Sequence, residues 1–107
     1  MPNIKMINAD EFEKEVLQSK LPCLVLFSAI WCRPCSAQYP IVEEVAKEME
    51  GKAIFVKVDI DEQPKLATQF KVKSIPSMLV FHKGQLIHTQ TGSAPKSILI
   101  KLLDIKE

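Results

Sequence analysis

The sequence is short of most features that mark an extended or membrane-tethered chain. Its 107 residues include three Gly and seven Pro with no repeating period, which excludes collagen-like and linker composition. No sign of charge dominates: Lys and Arg number 14, Asp and Glu 13, for a net charge of +1. A protein that tracks a phosphate backbone or coats an anionic membrane carries a clear basic excess, so nucleic-acid and membrane partners lose support. Long apolar runs are missing too. The longest, from Leu21 through Phe27 toward Trp31–Cys32, is interrupted by Pro22 and Ser28. It stays well short of the roughly 18 residues of a membrane span. The opening Met-Pro-Asn-Ile-Lys turns charged by Asp10 and shows no apolar core with a small-residue cleavage site. No export signal is read from it, and a cytoplasmic, reducing compartment is expected. Three Cys are an odd number and too few for a stapled secreted scaffold. What remains, 47% hydrophobic and 25% charged residues, suits one globular domain over residues 1–107.

The chain alternates between two periods. Asn3 to Ile7 is strand-like, and Asn8 with Glu11 three residues on predicts a capping box before a helix that buries Phe12, Val16 and Leu17. Leu24–Phe27 is apolar on both alternating faces, the pattern of a central strand covered from two sides. A long helical pattern follows the Trp31–Cys35 segment, with Ile41, Val42, Val45, Ala46 and Met49 on its inner face. Pro40 is an expected kink in it and Gly51 its stop. Ala53–Val58 predicts another buried strand, and Pro64 leads a short helix burying Leu66, Ala67 and Phe70. Met78–Phe81 is a third strong strand, and Lys83–Gly84 is a hairpin signal before an outer strand over Gln85–Thr91. Gly92 ends that strand. Ser93 or Ala94 opens a last helix, with Pro95 in its first turn and Ile98, Leu99, Leu102 and Leu103 buried. The order β-α-β-α-β-α-β-β-α demands an α/β fold. Its parallel crossover units and final hairpin give a mixed central sheet of about five strands, flanked by about four helices.

One cluster carries chemistry. Cys32 and Cys35 lie three residues apart where a buried strand hands over to a helix, close enough to form a disulfide. Pro34 is tolerated in a first helical turn. Cys32 then sits at the helix N-terminus, where unpaired N–H groups and the helix dipole favour a thiolate and lower its pKa. Arg33 adds a positive charge that pushes the same way. The thiolate is the nucleophile of disulfide exchange. Cys32 is therefore the expected nucleophile and Cys35, one turn further in and more buried, the expected resolving thiol. The competing reading is half a zinc site. It needs two more ligands from Cys23, His82 and His88, none of which has paired spacing. A purely structural bridge over so few residues constrains little chain. Cys23, between Pro22 and Leu24, reads as a small buried hydrophobe. His82, His88 and the cluster Glu43-Glu44-Glu48-Glu50 with Lys47 read as solvated surface.

Trp31-Cys-Arg-Pro-Cys35 resembles the active-site signature of the thioredoxin family. The similarity runs along nearly the whole chain through Leu24–Phe27, Pro40, Lys57-Val-Asp-Ile-Asp61, Ile75-Pro76 and the turns at Gly84 and Gly92. The resemblance implies a thioredoxin-like fold and a protein-disulfide reductase without a bound cofactor or metal. It implies disulfide substrates on other proteins, electrons from a separate reductase of thioredoxin-reductase type, and a monomer. It casts Pro76 as a cis-proline packed on the cysteines. The backbone of Ile75 then pairs with an extended substrate segment, Trp31 is an exposed ring beside the nucleophile, and Gly92 completes an apolar groove.

The chain departs from the family pattern at two positions. Arg33 stands where the family usually has Gly, which predicts a lower Cys32 pKa, a shifted potential and a preference for acidic partner surfaces. Leu26 stands where thioredoxins usually bury an Asp that manages the resolving thiol's proton, and Leu26 accepts no proton. Lys57 matches that Asp's usual partner, so it is expected to reach the surface or pair with Asp59 or Asp61. Slower resolution by Cys35, or proton transfer through water, is the expected result. Arg33 keeps an oxidase or isomerase open as an alternative, and Leu26 keeps open a non-catalytic thioredoxin-fold interaction module.

Overall fold

The computed structural model describes residues 4–105. Asn3, at the head of the expected first strand, lies outside them. The strands are β1 (Lys5–Met6), β2 (Cys23–Ser28), β3 (Ile54–Asp59), β4 (Ser77–His82) and β5 (Gln85–Thr91). The helices are α1 (Ala9–Phe12, continued by a wider π-type turn over Glu13–Leu17), α2 (Arg33–Glu48), α3 (Pro64–Gln69) and α4 (Lys96–Leu103). The five strands form one sheet in the order β1-β3-β2-β4-β5. β3 runs parallel to β1 and β2, while β4 runs antiparallel to β2 and β5. β2 is thus central, as its unbroken apolar run requires.

Helix starts are held both by near neighbours and by residues distant in sequence. Asn8 caps α1: its side chain accepts from the Glu11 backbone N–H at 2.9 Å, and Glu11 Oε1 accepts from the Asn8 N–H at 3.0 Å. α2 runs as one helix through Pro40. α4 begins one step later than expected: Pro95 is extended at the N-cap, and the helix starts at Lys96. A proline as N-cap brings no side-chain cap, and Gln38 of α2 takes over at the neighbouring residue. Its buried amide donates to Ala94 O at 3.0 Å, and its carbonyl oxygen accepts from Ala94 N–H at 2.8 Å. The hairpin turn places Lys83 and Gly84 at φ of 54° and 79°, the left-handed pair of a type I′ turn.

The two faces of the sheet divide the core by strand alternation. Leu24, Leu26, Met78 and Val80 face α2 and α4. Val25, Phe27, Leu79 and Phe81 face α1 and α3. On this second side Phe81 meets Phe12 and Phe70 edge-on, and Phe12 and Phe70 are tilted to each other, with centroids 5.1–5.5 Å apart. Lys96 of α4 ties to α2 by ion pairs with Glu44, at 2.9 Å, and Glu48, so two members of the acidic cluster staple helices together. His88 is exposed on β5 and His82 half-buried on β4.

Candidate active site

β2 ends at Ser28, and four residues later the chain enters α2 with Cys32 as its N-cap. Cys32 and Cys35 are joined in a disulfide with their Cα atoms 5.2 Å apart. Cys32 Sγ also accepts a hydrogen bond from the Cys35 backbone N–H at 3.2 Å, so the sulfur occupies the place of a capping oxygen. An N–H of the first helical turn has no partner within the helix, and a cap of greater negative charge binds it more strongly. The same donor therefore favours a thiolate once the disulfide opens. Both cysteines are 4% exposed. The expected order, Cys35 more buried than Cys32, is corrected: the strand-to-helix turn covers both residues equally, with Ala29, Ile60 and Ile75 packed around them.

Around the pair, Trp31 is 66% exposed and Ile30 is 89% exposed. The Trp31 Nε1–H donates to Asp61 Oδ2 at 2.7 Å, which fixes an exposed ring against the β3–α3 loop. Arg33 and Pro34 are exposed in the first turn of α2. The Ile75–Pro76 peptide is cis, Pro76 is buried and Ile75 half-buried. The carbonyl of Pro76 accepts from Gly92 N–H at 2.8 Å. Gly92 holds φ of +86°, and a Cβ there would meet no atom within 4 Å, so its backbone conformation rather than crowding inside the chain favours glycine. Ile75, Pro76 and Gly92 thus lie on the β4–β5 side of the disulfide.

On the β3 side opens a cleft of about 170 Å³, whose lining includes Leu26, Cys35, Tyr39, Lys57 and Asp59. Leu26 is buried and registers with Lys57 across the parallel β2–β3 pair. The expected pairing of Lys57 with Asp59 or Asp61 is corrected. Its ammonium lies over the Tyr39 ring, 4.5 Å from the centroid, a cation–π contact that uses the aromatic face one helical turn after Cys35. Burial, and then the charge of Glu43, holds the Tyr39 phenol above its ordinary range and keeps it neutral. Asp59 is itself buried, and its Oδ1 accepts from the backbone N–H groups of Asp61 at 2.8 Å and Glu62 at 3.3 Å. Sequence reasoning missed Tyr39, and it named Asp59 only as a partner for Lys57 rather than as a lining residue of this cleft. The signals were present as spacing: Tyr39 is four residues beyond Cys35 on a helix, and Asp59 two beyond Lys57 on a strand. Cys23, the remaining thiol, is buried at the far end of β2, and burial followed by Glu15's charge pushes it up to about 12.

A redox disulfide at a helix N-terminus, set at the C-terminal end of a central parallel strand, defines a dithiol–disulfide exchange protein of α/β architecture. The family model for thioredoxin matches residues 3–105. Thioredoxin 1 of Nostoc sp. is 43% identical over 93 residues, covering 87% of each chain. Thioredoxin 2 of Chlorobaculum tepidum is 42% identical over 93 residues, 87% of this chain and 85% of its own. The thioredoxin of Pyropia yezoensis is 35% identical over 102 residues, 95% of each. The chain belongs to the thioredoxin family, and it is a thioredoxin-type protein-disulfide oxidoreductase working through Cys32 and Cys35.

Proposed function

We propose that the protein runs in the reducing direction in the cytoplasm, as a monomer that takes electrons from a thioredoxin-reductase-type donor and passes them to disulfides of partner proteins. The observation that carries the exchange chemistry is Cys32 as the N-cap of α2, with its sulfur accepting the Cys35 N–H, while the direction rests on the family. In the reduced protein the Cys32 thiolate attacks one sulfur of the partner's disulfide. A Cys32–partner bond forms, and the partner's other sulfur leaves with the electron pair. Cys35 then loses its proton and attacks Cys32 Sγ, which forms the intramolecular disulfide and releases the partner as a dithiol. A neighbouring resolving thiol makes this second step effectively unimolecular.

The surrounding residues take supporting roles in the proposal. Trp31, Ile75 and Gly92 form the substrate groove, with the half-buried Ile75 offering its backbone to an extended segment. Neither its N–H nor its carbonyl is used by another described residue. Pro76 packs beneath the groove, and Pro34 shapes the helical turn that aims the cysteines. Arg33 tunes the Cys32 thiolate and selects acidic partner surfaces. Leu26 and Lys57 set the environment of the proton that Cys35 must lose.

The test is turnover of a disulfide-bonded peptide with a dithiol donor or a thioredoxin reductase. Cys32→Ser is expected to abolish turnover, and Cys35→Ser to accumulate a stable mixed disulfide on Cys32. Turnover by Cys32→Ser at the wild-type rate overturns the assignment. Equilibration with glutathione then decides direction, since a potential well above the glutathione couple marks an oxidase instead.

A further inference from the structure

The proton of Cys35 needs a destination, and Leu26 cannot be it. Strand alternation places Leu26 and Ser28 of β2, with Lys57 and Asp59 of β3, on the face that meets α2, and all four line the cleft shared with Cys35. Among the residues lining the cleft, few can accept a proton near neutrality. The Lys57 ammonium has no free lone pair, the Tyr39 phenol is neutral, and the hydroxyls of Ser28 and Ser36 are very weak bases. Asp59 is the one carboxylate there. It is 5% exposed, and only its Oδ1 is committed, to the two backbone N–H groups of the β3–α3 loop. No buried side-chain oxygen lacks a partner among the described residues, so Oδ2, which has none, is open to water.

We propose that Asp59 receives the Cys35 proton during resolution, through water in this cleft, and so takes over the task that Leu26 cannot perform. The inference rests on the dithiol mechanism given above. In the step, the Cys35 S–H proton passes by way of water to Asp59 Oδ2 as the Cys35 sulfur attacks Cys32 Sγ. The Cys32–partner bond breaks, its electron pair leaves on the partner's sulfur, and Asp59 later returns the proton to solvent. Lys57 from β3, the one cation lining the cleft, and the neutral Tyr39 and Cys35 from α2 are the titratable groups that face Asp59; Met6 of β1 adds no charge. Oδ1 anchors the carboxylate, and Asp59→Asn keeps that anchor because an amide oxygen accepts the same two bonds while losing the basicity of Oδ2.

The experiment mixes reduced protein rapidly with a disulfide-bonded peptide, quenches in acid and follows the Cys32 mixed disulfide by mass across pH 6 to about 10. In Asp59→Asn the mixed disulfide is expected to decay about tenfold more slowly near neutrality, because general-base assistance is lost. The difference is expected to narrow as pH rises and solvent hydroxide comes to remove the Cys35 proton without help. Alkylation of Cys32 in the same variant is expected to keep its wild-type rate. In the Asp59→Asn background, Leu26→Asp is expected to restore fast decay at neutral pH. Decay of Asp59→Asn at the wild-type rate, or slowing by one factor at every pH, overturns the proposal. Wild-type protein run alongside separates the two readings. A wild type that does not reduce the peptide overturns both, and a wild type that resolves no faster than Asp59→Asn overturns this one alone.

Discussion

Asp61 Oδ2 receives the Trp31 indole N–H at 2.7 Å and thereby sets the orientation of the large exposed ring next to Cys32 in the chain. The contact orders a surface that would otherwise sample several rotamers, and ordering before binding lowers the entropic cost of docking. Asp61→Ala is expected to raise KM for a disulfide peptide about threefold to tenfold, the worth of one such hydrogen bond, with kcat nearly unchanged. Steady-state kinetics check this, and an equal loss in kcat places Asp61 in the chemistry instead.

Gln38 presents a different expectation, one of stability. Its amide satisfies both backbone groups of Ala94 inside the protein, just ahead of a helix whose N-cap is a proline. Gln38→Ala leaves a buried N–H and C=O unpaired and is expected to cost about 2–4 kcal/mol. Lys96→Ala removes only solvent-screened ion pairs to Glu44 and Glu48 and is expected to shift the unfolding midpoint far less. Chemical denaturation of the oxidised proteins compares the two.

Arg33 occupies the first position of α2, where a cation opposes the helix dipole. A thiolate on Cys32 offsets that cost, so Arg33 favours the reduced form more than the disulfide. Arg33→Gly is expected to lower the potential by roughly 10 mV, since exposed charge–dipole contacts are small. Its turnover of peptides with acidic flanks is expected to fall relative to basic ones. Equilibration with glutathione and a pair of charge-swapped peptides measure both effects.

Cys23 yields a pH expectation. Its folded value of about 12 lies above the ordinary 9.0 because burial disfavours the thiolate. The folded state therefore binds this proton more tightly than the unfolded state. The stability tied to it is complete below about pH 9 and is lost as pH rises toward 12, by about 1.4 kcal/mol per pH unit. Cys23→Ala is expected to flatten that alkaline decline in urea-denaturation curves. Native Cys23 is expected to resist alkylation at neutral pH.

Features encoded by neighbours in the chain were legible beforehand. The Asn8–Glu11 capping box, the Lys83–Gly84 turn and the apolar run of β2 each follow from a few adjacent residues. The Cys32–Cys35 pair was legible for the same reason, since a strand-to-helix junction is a local pattern. The placement of Lys57 was not, because its neighbour Tyr39 comes from another element and a carboxylate nearby in sequence looked like the better partner. Nor does spacing reveal that one turn covers Cys32 and Cys35 equally, or that Gln38 reaches Ala94 across 56 positions. Such facts depend on how helices sit on the sheet, which periodicity within one segment leaves open.

The order of strands puts the two sulfurs on a divide. Ile75, Pro76 and Gly92 lie toward β4 and β5, whereas Tyr39, Lys57 and Asp59 lie toward β3. A polypeptide seated on the first flank leaves the second uncovered. If a client docks on the first flank as proposed, hydrogen ions are expected to leave by the second while the client is still seated.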